Sequence, residues 1–203
     1  MHHNLADNAA AISATEAAIV HALQSRSLVL IGMMGAGKSS VGRKLALRLN
    51  LPFVDADTEI EAAAGMTIPE IFEIRGEQDF RAGEARVVAR LLEGGPQVLA
   101  TGGGAYMNPD TRRLLHEKGI VIWLRAEFDV LMRRIRRRTD RPLLHTADPA
   151  DTLRRLMDVR YPVYGEADLI VDSRDVPHDM IVDDIVSVLS PHLAAGGSRA
   201  VQS

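Results

Sequence analysis

The chain has 203 residues, enough for one domain with a substantial core, and its 46% hydrophobic content is ordinary for a globular protein. The net charge of −3 argues against a nucleic-acid binder or a membrane-surface protein, and the absence of cysteine excludes disulfides and thiolate chemistry. No apolar run is long enough to span a bilayer, and the first residues lack the basic region and continuous apolar core of a signal peptide, so a cytoplasmic protein is expected.

Residues 1–27 are rich in alanine and precede the first strand. Ile12, Ile19, Val20 and Leu23 fall near one helical face, which suits a frayed extension or a short docking helix. Leu28–Ile31 is an apolar run of strand length, and an amphipathic helix is expected over Ser39–Leu49. Leu51–Asp57 reads as a second strand ending in two carboxylates. Thr58–Gly65 and Ile68–Arg75 read as short helices, and Gly76–Gly94 as a longer one with Phe80, Val87, Val88, Leu91 and Leu92 on its apolar side. Gln97–Thr101 is a third strand that runs into Gly102, Gly103 and Gly104. Asn108 and Pro109 start a helix that Gly119 ends, and Gly119–Leu124 is a fourth strand. A basic helix follows from Glu127 to about Arg138, then a loop over Thr139–Ala150 and a helix over Asp151–Arg160. Leu169–Asp172 is a fifth strand, Val182–Leu189 a closing helix, and residues 191–203 an expected disordered tail.

Apolar strands alternating with helices argue for an α/β fold with a parallel sheet covered on both faces. Ligands then gather at the carboxyl ends of the strands, which brings Gly32–Ser39, Asp55, Asp57 and Gly102–Gly104 to one edge.

From Gly32 to Ser39 the spacing is G-x-x-x-x-G-K-S, a phosphate-binding loop between a strand and a helix. Its glycines let backbone N–H groups approach phosphate oxygens, and the helix that follows offers the positive end of its dipole. Lys38 supplies a mobile charge for the outer phosphates, and the Ser39 hydroxyl can ligate Mg²⁺. Asp55 and Asp57 can orient metal-bound water or take a proton from an acceptor hydroxyl; Asp57 can equally cap the helix that follows. Arg81 offers a guanidinium fork for a carboxylate or phosphate, or a surface pair with Glu84. The three glycines suit a place where a ligand approaches closely, or a plain turn.

Arg133, Arg134, Arg136, Arg137, Arg138 and Arg141 form a basic run. No aromatics interleave with it, so a solvated helix face is expected rather than a nucleic-acid surface. Arg141 stands apart on a proline-containing loop, a suitable place for a lid over a triphosphate. Arg160 ends its helix, where it serves the helix dipole or a ligand. His21, His116, His145, His178 and His192 show no metal-ligand spacing and read as surface residues.

Taken together, these residues resemble the shikimate kinase family from about Leu28 to Asp172. The match comprises the phosphate loop, Phe53–Glu61, Gly76–Glu84, Thr101–Gly104, Arg141–Leu144 and Arg160–Tyr164. The phosphate loop is generic; the ordered set is far more specific. The resemblance implies a P-loop fold of the nucleoside-monophosphate-kinase type over 28–190, with five parallel strands, a substrate-binding subdomain at about 56–84 and a lid at about 139–150. It implies ATP-dependent phosphorylation of the 3-hydroxyl of shikimate, on the way to chorismate and aromatic amino acids.

Carried over residue by residue, the resemblance implies that Gly35, Ala36, Gly37, Lys38, Ser39 and Ser40 bind the ATP phosphates. Arg134 lies against adenine, and Arg141 is the lid arginine. Ser39 ligates Mg²⁺ with Asp55 in support through water. Asp57 holds substrate hydroxyls and is the candidate base, Arg81 and Arg160 grip the carboxylate, and Gly103 touches the ring hydroxyls. Lys38, Asp57 and Arg141 form the expected catalytic set. The expected partners are ATP and shikimate, with no nucleic acid or membrane, and the enzyme is expected to be a monomer. The competing readings are a related kinase acting on gluconate, and a catalytically silent nucleotide-binding module.

Overall fold

The computed structural model describes residues 13–137 and 148–196. Its elements are α1 (Ala14–Leu23), β1 (Ser27–Ile31), α2 (Lys38–Leu49), β2 (Phe53–Asp55), α3 (Ala56–Ala64), α4 (Ile68–Leu92), β3 (Val98–Ala100), α5 (Pro109–Lys118), β4 (Gly119–Arg125), α6 (Phe128–Arg136), α7 (Pro149–Tyr164), β5 (Leu169–Asp172) and α8 (His178–Ala194). A 3₁₀ turn, Ala105–Met107, follows the glycine run.

The five strands form one sheet in the order β2-β3-β1-β4-β5, and every pairing is parallel. β1 is buried at every position and β4 at all but its last, as expected for strands covered on both faces. The register sets Asp55 beside Ala100, Leu30 beside Ala100, and Ile31 beside Trp123. The segments that leave these strands therefore emerge along one edge.

In the segment before β1, the described residues from Ser13 onward form the short docking helix expected there rather than a frayed extension. Ser13 caps α1 in a reciprocal box with Glu16, and Ile19 and Leu23 are buried in the main core. α1 packs on α2 and α8, and the buried Glu16 accepts from Arg48 Nε at 2.5 Å. This hydrogen bond, with those from Ser13, holds the Glu16 carboxyl at about 2, well below its usual 4.5.

Several expected boundaries change. β2 stops at Asp55 and α3 begins at Ala56, so Asp57 stands in a first helical turn rather than on the strand. The cap is Asp55, whose Oδ1 accepts from the Asp57 N–H at 3.1 Å. α7 starts at Pro149, capped by Asp148, and runs past Arg160 and Pro162 to Tyr164. Pro162 forfeits its helical hydrogen bond to the Asp158 carbonyl, a cost offset by the packing of the fully buried Tyr164 two residues on. α8 likewise runs through Pro191 to Ala194, its end held by buried Leu193, so the tail does not start at 191. The break expected between Arg75 and Gly76 is present: Gly76 has φ 79° and ψ 171° inside the long α4. No helix among the described residues is long and apolar enough to cross a membrane.

Candidate active site

Between β1 and α2 the chain turns through Gly32 (φ 145°), Gly35 (φ 82°) and Gly37 (φ 92°). Gly32 shows why the first of these must lack a side chain: a Cβ there would lie 2.7 Å from the Leu124 carbonyl oxygen. Lys38 folds back over the loop, donating to the carbonyls of Gly32 at 2.9 Å and Met33 at 3.1 Å. Ser39 Oγ donates to Asp55 Oδ2 at 2.6 Å, which joins the loop to the end of β2. A cavity of about 420 Å³ opens over these groups, lined in part by Lys38, Ser39, Asp55, Asp57, Arg134 and His178.

Arg134 closes one side of this cavity. Its guanidinium donates to the Gly35 carbonyl at 3.3 Å, to Ser173 Oγ at 2.9 Å and to the Arg174 carbonyl, while Ser173 Oγ donates to the Ala36 carbonyl at 2.7 Å. Of the basic run, Arg133, Arg136 and Arg137 are exposed, while Leu131, Met132 and Ile135 face the core, as expected of a solvated face. Arg138, Arg141, His145 and most of the expected lid lie outside the described residues.

Beside the phosphate loop lies a second cluster, built around the glycine run. A Cβ on Gly102 would stand 2.7 Å from Glu84 Oε1 and 2.8 Å from Asp57 Oδ1. One on Gly103 would stand 3.1 Å from Arg160 Nη1, and one on Gly104 would overlap the Arg81 guanidinium, 2.6 Å from its Cζ. The three missing side chains are what allow two carboxylates and two guanidinium groups from α3, α4 and α7 to converge. Gly104 has φ −100°, so here the glycines answer close approach rather than an unusual backbone conformation.

The Arg81–Glu84 pair forms at 2.7 Å, but it is not a surface pair: the Glu84 side chain is only 3% exposed, and that of Arg81 31%. Burial pushes the Glu84 carboxyl above its usual range, against the pull of Arg81. Its Oε1 is buried without a hydrogen-bond partner among the described residues. Arg160 makes no ion pair with a carboxylate among the described residues; its guanidinium lies near the Met33 sulfur, 4.0 Å from Nη1, and the Tyr164 hydroxyl.

Two histidines expected at the surface are placed otherwise. His116 is partly buried, 2.7 Å from the Tyr106 hydroxyl through Nε2 and 3.1 Å from Asp168 through Nδ1. Asp168 also accepts from the Val121 N–H. Burial works against its ionisation, yet these hydrogen bonds outweigh it and hold its pKa low. His178, at the start of α8, lines the phosphate-loop cavity, with Nε2 3.9 Å from the position a Gly37 Cβ would take. Burial, Arg134 and Lys44 lower its pKa, so the imidazole is neutral at pH 7. No spacing in the sequence brings either histidine forward, because both partnerships are made across the fold.

The arrangement is thus an anion cradle with a lysine and a hydroxyl–carboxylate pair, next to a cluster in which two guanidinium groups and two carboxylates surround the glycine run. The shikimate kinase family model matches residues 34–190. The chain is 61% identical to a shikimate kinase of Bradyrhizobium diazoefficiens over 199 residues, covering 98% of this chain and 95% of that one. The chain belongs to the shikimate kinase family. Among solved structures, the shikimate kinase from Acinetobacter baumannii in complex with shikimate superposes with a TM-score of 0.79 at 37% identity, over 83% of this chain and 94% of that one. A gluconokinase from Sinorhizobium meliloti superposes with a TM-score of 0.56 at 21% identity, over 85% and 96% of the two chains, a likeness of fold alone.

Proposed function

We propose that this shikimate kinase family member transfers the γ-phosphoryl group of ATP to the 3-hydroxyl of shikimate, releasing ADP and shikimate 3-phosphate. The observation that carries this reading is the convergence of Arg81, Arg160, Asp57 and Glu84 on Gly102–Gly104, next to the phosphate loop. A carboxylate with ring hydroxyls opposite needs cations at one end and acceptors at the other. Gluconate is also a hydroxylated carboxylate, but the likeness to a gluconokinase is confined to the fold.

In this reading the backbone of Gly35 to Ser40 and the Lys38 ammonium hold the phosphates, while Arg134 and His178 border the nucleotide on the far side. Arg81 and Arg160 bind the acceptor carboxylate as two forks, which fixes the ring and aims one hydroxyl at the γ-phosphorus. Gly103 lets the ring come close. Asp57 accepts a hydrogen bond from that hydroxyl. The hydroxyl oxygen forms the new P–O bond as the bond from phosphorus to the bridging oxygen breaks, and its electron pair leaves with ADP. Such transition states are loose, so Asp57 orients the hydroxyl first and takes its proton late.

The hydroxyl–carboxylate pair of Ser39 and Asp55 offers the hard oxygen donors that suit Mg²⁺: Ser39 would ligate the ion directly and Asp55 through water. When bound, the ion neutralises charge on the outer phosphates. All of these groups come from one chain, which supports a monomeric enzyme, and its use of ATP supports a cytoplasmic one.

The test is a coupled assay of ADP release with Mg·ATP, comparing shikimate, quinate, gluconate and no acceptor. Release that requires shikimate is the expected result. Release with gluconate in its place would overturn the acceptor assignment, and nucleotide binding without acceptor-dependent release would favour a silent module.

A further inference from the structure

Two tyrosines of α7 have no part in the reading above, and one of them stands behind the acceptor pocket. Tyr164 is fully buried, with its ring against Trp123 and Tyr106 at centroid separations of 5.8 and 6.2 Å. Its hydroxyl donates to the Gly103 carbonyl. It follows Arg160 by four residues, so both side chains project from one face of α7. They also meet on one backbone unit: the position a Gly103 Cβ would take is 3.1 Å from Arg160 Nη1 and 3.8 Å from Tyr164 Oη.

We infer that Tyr164 is a positioning residue for the acceptor, its hydroxyl fixing the Gly103 peptide, and with it the spacing between Arg160 and the glycine run. The inference rests on the reading of this pocket as the shikimate site. A run of three glycines carries little stiffness of its own, so its course must be set by what it is tied to. The tie acts on orientation as well as place. No peptide here is cis, so a Gly103 carbonyl drawn toward α7 turns the N–H of Gly104 to the opposite side, away from Tyr164. Burial keeps the phenol protonated, and Arg160 acts on the same oxygen, so the hydroxyl links the carboxylate-binding arginine to the loop that faces it.

Tyr161 provides an internal control. It lies on the same helix, also contacts Trp123, and its hydroxyl also donates to a backbone carbonyl, but that of Ala126, away from the glycine run. Tyr164→Phe keeps the ring and removes only the tie. It is expected to raise the KM for shikimate roughly five- to tenfold, the equivalent of one hydrogen bond, while the KM for ATP stays the same and kcat changes less than about threefold. Tyr161→Phe is expected to leave both KM values unchanged, even if it lowers Tm by as much. An unchanged shikimate KM in Tyr164→Phe overturns the inference. So does a rise of both substrates' KM, or an equal effect of the two variants, since each would mean general loosening of α7. If the wild-type enzyme itself releases no ADP with shikimate, the acceptor reading fails first and the inference falls with it.

Discussion

Gly104→Ala isolates the acceptor pocket from the rest of the molecule. The backbone at Gly104, φ −100° and ψ −16°, is one that alanine adopts without strain. The added methyl would therefore act only on what it touches. It would sit 2.6 Å from Arg81 Cζ, where carbon atoms need about 3.5 Å, so the guanidinium must withdraw by about 1 Å. Arg81 cannot simply swing aside, because its Nη1 is held by the buried Glu84 at 2.7 Å. The cost thus falls on the fork proposed to receive the substrate carboxylate. Losing one charge-assisted hydrogen bond costs about 1.5–3 kcal/mol, or roughly a 10- to 150-fold rise in the KM for shikimate.

Strain on the Arg81–Glu84 pair should lower Tm modestly, partly offset because alanine restricts the unfolded chain more than glycine does. Steady-state kinetics with each substrate varied in turn, together with a melting curve, distinguish the possibilities. An unchanged shikimate KM would refute the placement of Arg81 at the carboxylate. A parallel rise in the KM for ATP would refute the claim that the methyl acts locally.

Asp57→Asn should reduce kcat by orders of magnitude while ADP affinity, measured by calorimetry, is kept; full turnover would remove Asp57 from the acceptor hydroxyl. His178→Ala should raise the KM for ATP several-fold and leave that for shikimate alone, and the reverse pattern would place His178 outside the nucleotide site. Deletion of residues 1–26 removes Ile19 and Leu23 from the core, a loss of at least ~4 kcal/mol, so Tm should drop by on the order of 10 °C; an unchanged melting curve would return the segment to the status of an extension. The Glu16–Arg48 tie should depend on pH in a defined direction. Its carboxyl is depressed in the folded state, so its contribution is complete above the usual 4.5 and is lost as pH falls toward about 2. The Tm difference between wild type and Glu16→Gln should shrink across that window; a gap that stays constant would mean that Glu16 ionises as freely in the native protein as in the unfolded chain.

The elements were legible because their signals are local. Leu28–Ile31 is strand-like over four residues, Asn108–Pro109 caps a helix by its own chemistry, and Gly76 breaks α4 where the sequence breaks it. The site was legible as a set of residues but not as a geometry. Arg81 and Glu84 sit at i,i+3 whether that face is wet or dry, and what makes the pair more than a surface contact is burial supplied by other segments. The glycine run is ambiguous in the same way. Whether it is a turn or a close approach depends on Asp57, Glu84, Arg160 and Arg81, which come from three other helices. The capping role expected of Asp57 falls to Asp55 because β2 ends two residues sooner than expected: the first carboxylate caps α3 while holding Ser39, and this leaves the second in the first turn, over Gly102. His178 carries no sequence signal, and Tyr164, though it closes the Arg160–Tyr164 stretch of the resemblance, has no role that the sequence assigns. Tyr164 acts on the Gly103 carbonyl, and a partner that is only a peptide group leaves no side chain to be read at a characteristic spacing. The residues hardest to see in a sequence are therefore those that aim the loops. In a site whose phosphate and acceptor walls are both built from glycines, aiming the loops is much of what the fold contributes to the chemistry.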